Sequence, residues 1–367
     1  MIPYVLLMFM PLFISSFITQ YKCKYTFGYE IKEKILKQNC MLHVFFIMLL
    51  LLLALRDETI GRDLSNYKYY FEKISLMTKE EIFEYDLDVL YTSLNWSVSR
   101  FTDDFQVFLG VVALITIIPV VSLYSEDREH SFLKIVLFMN MSTFIMMFSG
   151  LRQAIAISIG LIAYRCVKKK KLLLFIVFVI IAWGFHHSAF MVFLFYPLYH
   201  FSFKKKHLWF VVPVIICVFI FNKQIFMMVT SLIDSDKYSS EISNTGAYTM
   251  IILFIMFAFF SYVIPDEKIM DKETLGLRNF LLIAVLLQCF SPIHTIAMRM
   301  NYYYIIFIPI LIPKIITYAK DELKEIAYFA KVILILFFVS YYLFNTYNSC
   351  QTGISALDTY PYVPFWK

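Results

Sequence analysis

The stretch MFSGLRQAIAISIGLIAY, residues 147–164, carries a single charge, Arg152, in an otherwise apolar run. An arginine within the hydrocarbon of a bilayer costs on the order of 2.5–3.5 kcal/mol on insertion scales. A run of this length and apolarity is typical of a membrane helix, and Gly150 indicates a helix break just before the charge. The stretch therefore predicts a membrane helix that begins at a turn, with an arginine held at that turn.

Similar apolar stretches recur along the whole chain. The sequence is 60% hydrophobic and 16% charged, with a mean hydropathy of +0.70, whereas a soluble domain has about 25% charged residues. We therefore predict an all-α polytopic membrane protein with about 12 transmembrane helices, some of them short or re-entrant. The predicted spans lie near residues 2–19, 40–55, 105–124, 132–148, 151–166, 172–184, 187–201, 208–222, 248–264, 280–293, 300–313 and 329–347.

Lysine and arginine are unevenly distributed between the predicted loops. Cytoplasmic loops carry an excess of these residues, and 22 of the 33 fall in six loops. These are 20–39, 125–134, 165–171, 202–207, 265–279 and 314–331. We therefore place these loops in the cytoplasm and both termini outside. Residues 1–367 are interpreted as a single integral membrane domain with extracytoplasmic loops at 56–104 and 223–247.

Three apolar stretches return to the side on which they began. Residues 172–201 lie between two lysine clusters predicted to be cytoplasmic, and one helix of that length would run about 45 Å against about 30 Å of hydrocarbon. The stretch is therefore predicted to be a hairpin with its turn outside, and the same holds for 132–166 and 280–313. The three turns, at 148–153, 183–188 and 290–299, carry Arg152, His186, His187, His294 and Arg299.

The largest outer segment, 56–104, contains eleven acidic and six basic residues. Its apolar residues follow helical spacing, first in a stripe of Tyr67, Tyr70, Phe71 and Ile74, and then in a stripe of Ile82, Phe83, Leu87, Leu90, Tyr91, Leu94, Val98 and Phe101. Such stripes predict two amphipathic helices that lie against the membrane face.

Four arginines are candidates for binding an anion. Arg152 and Arg299 are each followed by a helix that runs back inward, and a guanidinium presents a fork of donors that fits phosphate oxygens. The alternative is an interfacial arginine whose charge reaches the lipid headgroups. Arg56 and Arg62 open the outer segment, where Arg56 is either a further candidate or a charge at the boundary of a span.

Three histidines and one aspartate are candidates for acid–base chemistry. His186 and His187 are adjacent and would point about 100° apart in a helix, which is poor geometry for a metal. Each of them, like His294, is either a packed histidine or a group that binds or deprotonates a hydroxyl. Asp63 is either such a group or the N-cap of a helix that starts near Leu64.

Motifs for nucleotide, cofactor or metal binding are absent from the sequence. There is no Walker A motif, no G-x-S-x-G, no pair of CxxC motifs and no H-x-x-x-H. We therefore expect no cofactor and no metal, and an enzyme with this sequence would need a substrate that brings its own leaving group. The net charge of +6 is not by itself a sign of nucleic-acid binding, and no nucleic-acid partner is expected.

Five segments resemble the Wzy-type O-antigen and exopolysaccharide polymerases, in the EpsG-like branch. The first is LRDETIGRDLSNYKYYFEKI at 55–74, with an arginine, then Gly-x-Asp, then tyrosines and a phenylalanine. The others are SGLRQAIAISI at 149–159, HHSAFMVFLFYPL at 186–198, MRMNYYYIIFIPI at 298–310 and the tail DTYPYVPF at 358–365. Together, in this order, they cover most of the chain.

The resemblance implies a polymerase of the bacterial inner membrane whose active site faces the periplasm. Its substrates would be undecaprenyl-diphosphate-linked oligosaccharides on the outer leaflet. A growing glycan would pass from its lipid diphosphate to a hydroxyl of an incoming lipid-linked repeat unit, in the synthesis of O-antigen or a related surface polysaccharide. Further expected partners are membrane lipids and a chain-length regulator protein.

The resemblance also implies roles for the candidate residues. Arg152 and Arg299, with Arg56 or Arg62, would bind the diphosphate and stabilise its developing charge without a metal. Asp63 or His187 would orient or deprotonate the acceptor hydroxyl. His186 and His294 would contribute to substrate binding, whereas Tyr67 and Tyr70 either stack on sugar rings or pack against their neighbours.

A lipid-linked oligosaccharide flippase is the alternative function. A transporter of this kind should show charged residues along a path through the bilayer midplane. The predicted spans are nearly free of ionisable groups, and the charges gather at one face, which favours the polymerase.

Overall fold

The described part of the chain folds into helices. The computed structural model describes residues 1–22, 30–127, 129–201, 203–232 and 248–367. Within these ranges, extended pairing is limited to two isolated bridges, Arg56 with Pro364 and Pro265 with Ala319. The all-α prediction is therefore confirmed for this part of the chain. Parts of the predicted loops 20–39 and 223–247, and Arg128, lie outside the described residues.

Two units can be distinguished by their internal contacts, Met1–Phe190 with Ala330–Lys367, and Met191–Phe329. The helices of the first unit are α1 (Ile2–Lys22), α2 (Glu30–Ala54), α3 (Leu64–Ser75), α4 (Glu81–Glu84), α5 (Val89–Ser99), α6 (Phe105–Tyr124), α7 (Ser131–Asn140), α8 (Ser142–Ser149), α9 (Leu151–Lys168) and α10 (Leu172–Phe185). The single membrane domain predicted over 1–367, and the side of the membrane on which each loop lies, stay predictions.

The second unit is also helical throughout its described residues. Its helices are α11 (Phe195–His200), α12 (Leu208–Ile220), α13 (Asn222–Leu232), α14 (Tyr248–Val263), α15 (Lys272–Gln288), α16 (Thr295–Ile305) and α17 (Ile308–Thr317). The last helix, α18 (Lys324–Thr352), begins in the second unit, and its residues from Ala330 onward belong to the first. Short 3-10 helices occur at His187–Leu194, Lys205–His207, Asp321–Leu323 and Ala356–Asp358.

Several helices have the length and apolarity of membrane spans. Among the described residues, Phe105–Tyr124 and Asp321–Thr352 are long and apolar enough to cross a membrane, and the number rises to five if each of three bent helix pairs is one span. Those pairs are bent by 61°, 77° and 45°. Shorter apolar helices lie at Ile2–Phe17, Cys40–Ala54, Leu172–Phe185 and Tyr248–Val263. The larger number of spans predicted from the sequence stays a prediction.

The three predicted turns coincide with helix ends. Helices α8 and α9 lie on either side of Gly150. Helix α10 ends at Phe185, immediately before the two adjacent histidines, and the third turn lies between α15 and α16. The prediction of helix breaks at these three places is confirmed.

Some predicted spans are nevertheless broken or shifted. Residues 132–148 form two helices, α7 and α8, bent by 61° at Met141, whose backbone is extended. Residues 300–313 are divided between α16 and α17, which are bent by 45°, and the helix predicted at 280–293 begins earlier, at Lys272. The composition stays apolar through the second bend, so hydropathy contains no sign of it, whereas the polar residues Asn140, Ser142 and Thr143 surround the first.

Of the two amphipathic helices predicted in the segment 56–104, the first is present as α3 and the second is divided into α4 and α5. Helix α3 buries Tyr67, Phe71 and Ile74, which confirms the first stripe apart from Tyr70, which is only half-buried. The second stripe is split between α4 and α5 by an extended stretch that begins at Tyr85. Aspartate is a poor helix former, and Asp86 and Asp88 lie in this stretch.

Backbone hydrogen bonds join residues 358–365 to the start of the segment 56–104. The backbone N–H groups of Asp57 and Gly61 donate to the carbonyls of Val363 and Asp358, each at 2.9 Å, and the Phe365 N–H donates to Leu55 at 3.0 Å. These bonds fix the turn at Gly61 that leads into α3.

Candidate active site

Helix α9 begins at the break that the sequence predicted, and Arg152 is its second residue. The Arg152 side chain is 28% exposed. Its Nη1 donates to the Oδ2 of Asp88 at 2.7 Å, whereas its Nε is buried with no hydrogen-bond partner in the described part of the chain. Asp88 therefore holds the guanidinium through Nη1, while the N–H of Nε has no acceptor among the described residues.

Asp88 joins Arg152 to a second predicted residue, His187. The Asp88 side chain is only 6% exposed, and its Oδ1 lies 3.1 Å from the Nδ1 of His187, an imidazole that is 75% exposed. Each carboxylate oxygen thus has its own partner. A buried carboxylate needs such partners because an unpaired buried charge is strongly unfavourable.

The side chain of Asp88 does not cap its own helix. Aspartate at an N-cap usually accepts a hydrogen bond from the first turn, as Asp104 and Asp271 do at the starts of α6 and α15. Asp63 and Asp88 occupy the N-cap positions of α3 and α5 without this bond. Both of these side chains instead reach residues at the break between α8 and α9.

Asp63 is connected to that break through Ser149. The Ser149 hydroxyl donates to Asp63 Oδ2 at 3.1 Å, and the Asp63 backbone N–H donates to the Ser149 Oγ at 3.3 Å. Gly61 makes this approach possible: its φ is +113°, and a Cβ placed on it would lie 2.0 Å from the carbonyl oxygen of Phe148. Asp63 therefore occupies the N-cap position of the helix that begins at Leu64, as one of the two interpretations had it, but its side chain bonds to Ser149 and not to the first turn of α3.

Tyr67 brings helix α3 to Arg152. Burial raises the pKa of Tyr67 above its ordinary value, and the positive guanidinium of Arg152, which also forms a hydrogen bond with the Tyr67 side chain, offsets part of that effect. The Tyr67 ring packs edge-on against Tyr91 of α5, with centroids 5.6 Å apart, and against Tyr70 at 6.4 Å. Tyr67 therefore stays a neutral hydroxyl that borders the arginine.

The two adjacent histidines have different surroundings. The His187 ring stacks on Trp183, with centroids 5.4 Å apart. His186 accepts a hydrogen bond on Nδ1 from the backbone N–H of Ser188 at 3.2 Å, and the Ser188 hydroxyl lies 3.4 Å from Nε2 of Gln153, which follows Arg152. The start of the 3-10 helix is thus bound to the start of α9, and His187 contacts Asp88.

Arg56 and Arg62 contact residues other than those of this cluster. Arg56 is 1% exposed, its guanidinium lies over the Phe148 ring at 5.5 Å, and its Nε and Nη1 have no partner among the described residues. Burial lowers the pKa of Arg56 to about 10, so the group stays charged at neutral pH. Arg62 is exposed and pairs with Asp358 at 3.2 Å. Their predicted roles in diphosphate binding stay predictions.

His294 and Arg299 belong to the second unit and are described within it. His294 is buried and caps α16, since its Nδ1 accepts from the Ile296 N–H at 3.0 Å, and its ring stacks on Phe226 at 5.2 Å. Arg299 is exposed. Their participation in one site with Arg152 stays a prediction.

The candidate active site is therefore the cluster of Asp63, Tyr67, Asp88, Arg152 and His187. In the described ranges, no group of three His, Cys, Asp or Glu side chains is arranged to hold a metal ion. The cluster offers a guanidinium for an anion, an accessible imidazole, and two carboxylates that are held in place from the same helix break.

Comparison with known families decides the class of protein. The family model described as EpsG family matches residues 39–363. The chain belongs to the EpsG family. No curated protein and no solved structure matches it. Membership in the EpsG family, together with the apolar helices, makes this a membrane protein with a role of the exopolysaccharide or O-antigen polymerase type.

Asp88 is the residue of this EpsG-family site that the sequence did not single out. It is one of eleven acidic residues in 56–104, and a position just before an apolar stripe is typical of an N-cap. The available signal was that Asp88 stands between the apolar Leu87 and Val89. Nothing in that pattern indicates a partner 64 positions away, the separation of Asp88 and Arg152.

Proposed function

We propose that the protein polymerises a surface polysaccharide by transferring a growing glycan from undecaprenyl diphosphate to a lipid-linked repeat unit. Membership in the EpsG family supports the general role. The observation that carries the proposal is that Arg152 and His187 contact the two oxygens of one buried carboxylate. A guanidinium that can bind an anionic leaving group therefore lies beside an imidazole that can accept the proton of a hydroxyl.

In the proposed reaction, a hydroxyl oxygen of the acceptor sugar forms a bond with the anomeric carbon of the donor. The bond from that carbon to the diphosphate oxygen breaks, and the lipid diphosphate leaves with the electron pair. Arg152 stabilises the charge that develops on the diphosphate, since charge-assisted hydrogen bonds from a guanidinium suit phosphate oxygens. Arg299 remains a further candidate for this role.

The proton of the acceptor hydroxyl needs a base. His187 and Asp63 are the two candidates from the sequence, and both belong to the cluster. His187 is the more exposed group, and Asp63 is half-buried beside Ser149. His186 is the chain neighbour of His187, and Tyr67 borders Arg152 and packs against Tyr70, so the proposal keeps these three residues as candidates for the sugar site.

The proposal includes the environment of the reaction. We place the cluster at the outer face of the inner membrane, with about 12 spans and both termini outside, on the lysine and arginine distribution. Lipid-linked oligosaccharides would reach it from the outer leaflet, and a chain-length regulator protein is a further proposed partner. This orientation places the diphosphate at headgroup depth beside Arg152.

Analysis of surface polysaccharide in a deletion strain tests the function. A polymerase deletion collapses a ladder of chain lengths to single repeats, and the wild-type chain restores the ladder. Loss of all repeats at the surface, with lipid-linked units retained inside, would instead establish the flippase and refute the proposal.

A further inference from the structure

Asp88 has no assigned part in the reaction, yet it contacts both of the groups proposed to perform it. We propose that Asp88 is a positioning residue that orients His187 as the base for the acceptor hydroxyl while it holds Arg152 at the diphosphate. This inference rests on the proposed function and selects His187 over Asp63 within it.

The geometry specifies which nitrogen of His187 acts. An ionised carboxylate only accepts hydrogen bonds, so Asp88 Oδ1, which lies 3.1 Å from Nδ1, favours the tautomer of the imidazole with its proton on Nδ1. The lone pair of the neutral ring is then on Nε2. Nδ1 faces the buried carboxylate, and His187 is 75% exposed, so Nε2 is the nitrogen that an acceptor hydroxyl can approach.

An exposed histidine needs external support to hold one orientation. The Asp88 carboxylate provides it on one edge, and stacking on Trp183 provides it on one face. When His187 takes the hydroxyl proton, the resulting imidazolium lies beside a buried negative charge, which stabilises it. The Asp88 carboxylate therefore orients the imidazole of His187 and stabilises its protonated form.

The shared carboxylate also couples the two halves of the reaction. In the structure Arg152 neutralises Asp88 at 2.7 Å. When a diphosphate binds Arg152, the phosphate oxygens share the positive charge of the guanidinium. Asp88 is then less neutralised by Arg152 and attracts the imidazolium of His187 more strongly. The acceptor hydroxyl is consequently activated most when the donor is in place.

Asp88 could alternatively serve only to fasten α5 to the starts of α9 and the 3-10 helix. A negative charge at position 88 would be sufficient for that structural role, and loss of the charge would reduce the amount of folded protein. A positioning role instead affects the rate of the transfer step in the protein that is folded. Kinetics and variants that retain the charge distinguish the two.

The experiment uses the full-length protein in proteoliposomes with undecaprenyl-diphosphate-linked repeat units extracted from the deletion strain. Asp88→Asn should lower kcat about a hundredfold or more, the range of general base catalysis, with a much smaller change in KM. Asp104→Asn is the matched control: Asp104 caps its own helix by accepting from the Gln106 N–H at 2.8 Å, and Asn caps equally well, so kcat should not change.

Two further variants make the test decisive. Asp88→Glu keeps the charge but displaces it, and a misplacement of about 1 Å can cost a hundredfold, so kcat should still fall at least tenfold at a normal protein level. Asp88→Asn should lower kcat much less in a His187→Gln background than in the wild-type protein, because residues that act as a unit are not additive and only the effect through Arg152 remains.

Contrary results would be unambiguous. Wild-type kcat in Asp88→Asn, full activity in Asp88→Glu, or multiplied losses in the double variant would each refute the positioning role while the wild-type protein still forms polymer. Failure of the wild-type protein to form polymer from the extracted units would refute the proposed function itself.

Discussion

Arg152 Nη1 lies 2.7 Å from Asp88 Oδ2, and this pair explains how an arginine is tolerated in the first turn of an apolar helix. The carboxylate belongs to the residue that precedes α5, and it is more deeply buried than the guanidinium. The pairing lowers the cost of the charge, since a buried charge is tolerated when it is paired. It also leaves part of the guanidinium accessible, which a simple anchor to the headgroups does not require.

Replacement of Arg152 by lysine should separate binding from anchoring. Lysine keeps the charge and an apolar stem but loses the fork of donors. Loss of one charge-assisted hydrogen bond, about 1.5–3 kcal/mol, slows transfer about ten- to a hundredfold if it acts in the transition state. We expect Arg152→Lys to insert normally and to give mostly single-repeat glycans on a polysaccharide gel. Arg299→Lys should do the same if it also binds the diphosphate.

Arg165→Lys is the matched control for this variant. Arg165 lies at the other end of α9 and pairs with Glu126 at the same distance, 2.7 Å. Arg100 would be a poorer control, because it donates to the Ser75 carbonyl and lies over the Trp96 ring. A full-length ladder in the Arg152→Lys strain, at equal protein level, would show that Arg152 is an anchor.

The helices and their breaks could be predicted because local sequence determines them. Gly150 interrupts an apolar run, and the spacing of Tyr67, Phe71 and Ile74 describes one buried face. The bend between α16 and α17 could not be predicted, because residues 305–308 are all apolar. The bend at Met141 was missed although the polar residues Asn140 and Ser142 flank it. Local composition therefore predicts where apolar faces lie and misses bends within them.

The cluster could be predicted only in part, because its bonds join distant positions. Arg152 and His187 were candidates through their placement at predicted turns, and Asp63 was a candidate as a carboxylate before a predicted helix. Asp88 was not, because its position before α5 looks like an ordinary N-cap. Its role follows from a tertiary contact across 64 positions, and a single sequence carries no information on that pairing.

The orientation of the site can be tested by cysteine labelling. The lysine distribution predicts 165–171 in the cytoplasm and 56–104 outside. Single cysteines at Lys169 and Lys79, both exposed, in an otherwise cysteine-free protein should react differently with an impermeant maleimide added to intact cells. Lys79→Cys should label and Lys169→Cys should not. Labelling of both from outside would contradict an outward-facing site at the turns.

Gly61 should tolerate no side chain. Its φ of +113° and the 2.0 Å approach of a Cβ to the Phe148 carbonyl oxygen mean that alanine must displace the turn that carries Asp63. Backbone strain of this kind costs about 1–3 kcal/mol. We expect Gly61→Ala to lower the melting temperature of the detergent-solubilised protein and to shorten the glycan ladder.

Gly110→Ala provides the comparison for Gly61→Ala. Gly110 lies inside α6, and a Cβ there would have nothing within 4 Å. Alanine in a helix interior is favoured over glycine by about 1 kcal/mol, so this variant should melt at the same temperature as the wild type or higher. Equal melting temperatures for the Gly61→Ala protein and the wild type would show that the turn is not constrained as the structure indicates.

Asp63→Asn distinguishes the two candidate bases. The amide oxygen of asparagine can still accept the hydroxyl hydrogen of Ser149, which lies 3.1 Å from Asp63 Oδ2, but the amide cannot take a proton from an acceptor sugar. If His187 is the base, Asp63→Asn should retain a ladder of nearly normal length, whereas His187→Gln should give single repeats. Both variants should be produced at wild-type levels, checked by immunoblot of membranes. Single repeats in Asp63→Asn together with a normal ladder in His187→Gln would assign the base to Asp63. That result would contradict the proposal that Asp88 positions His187 as the base.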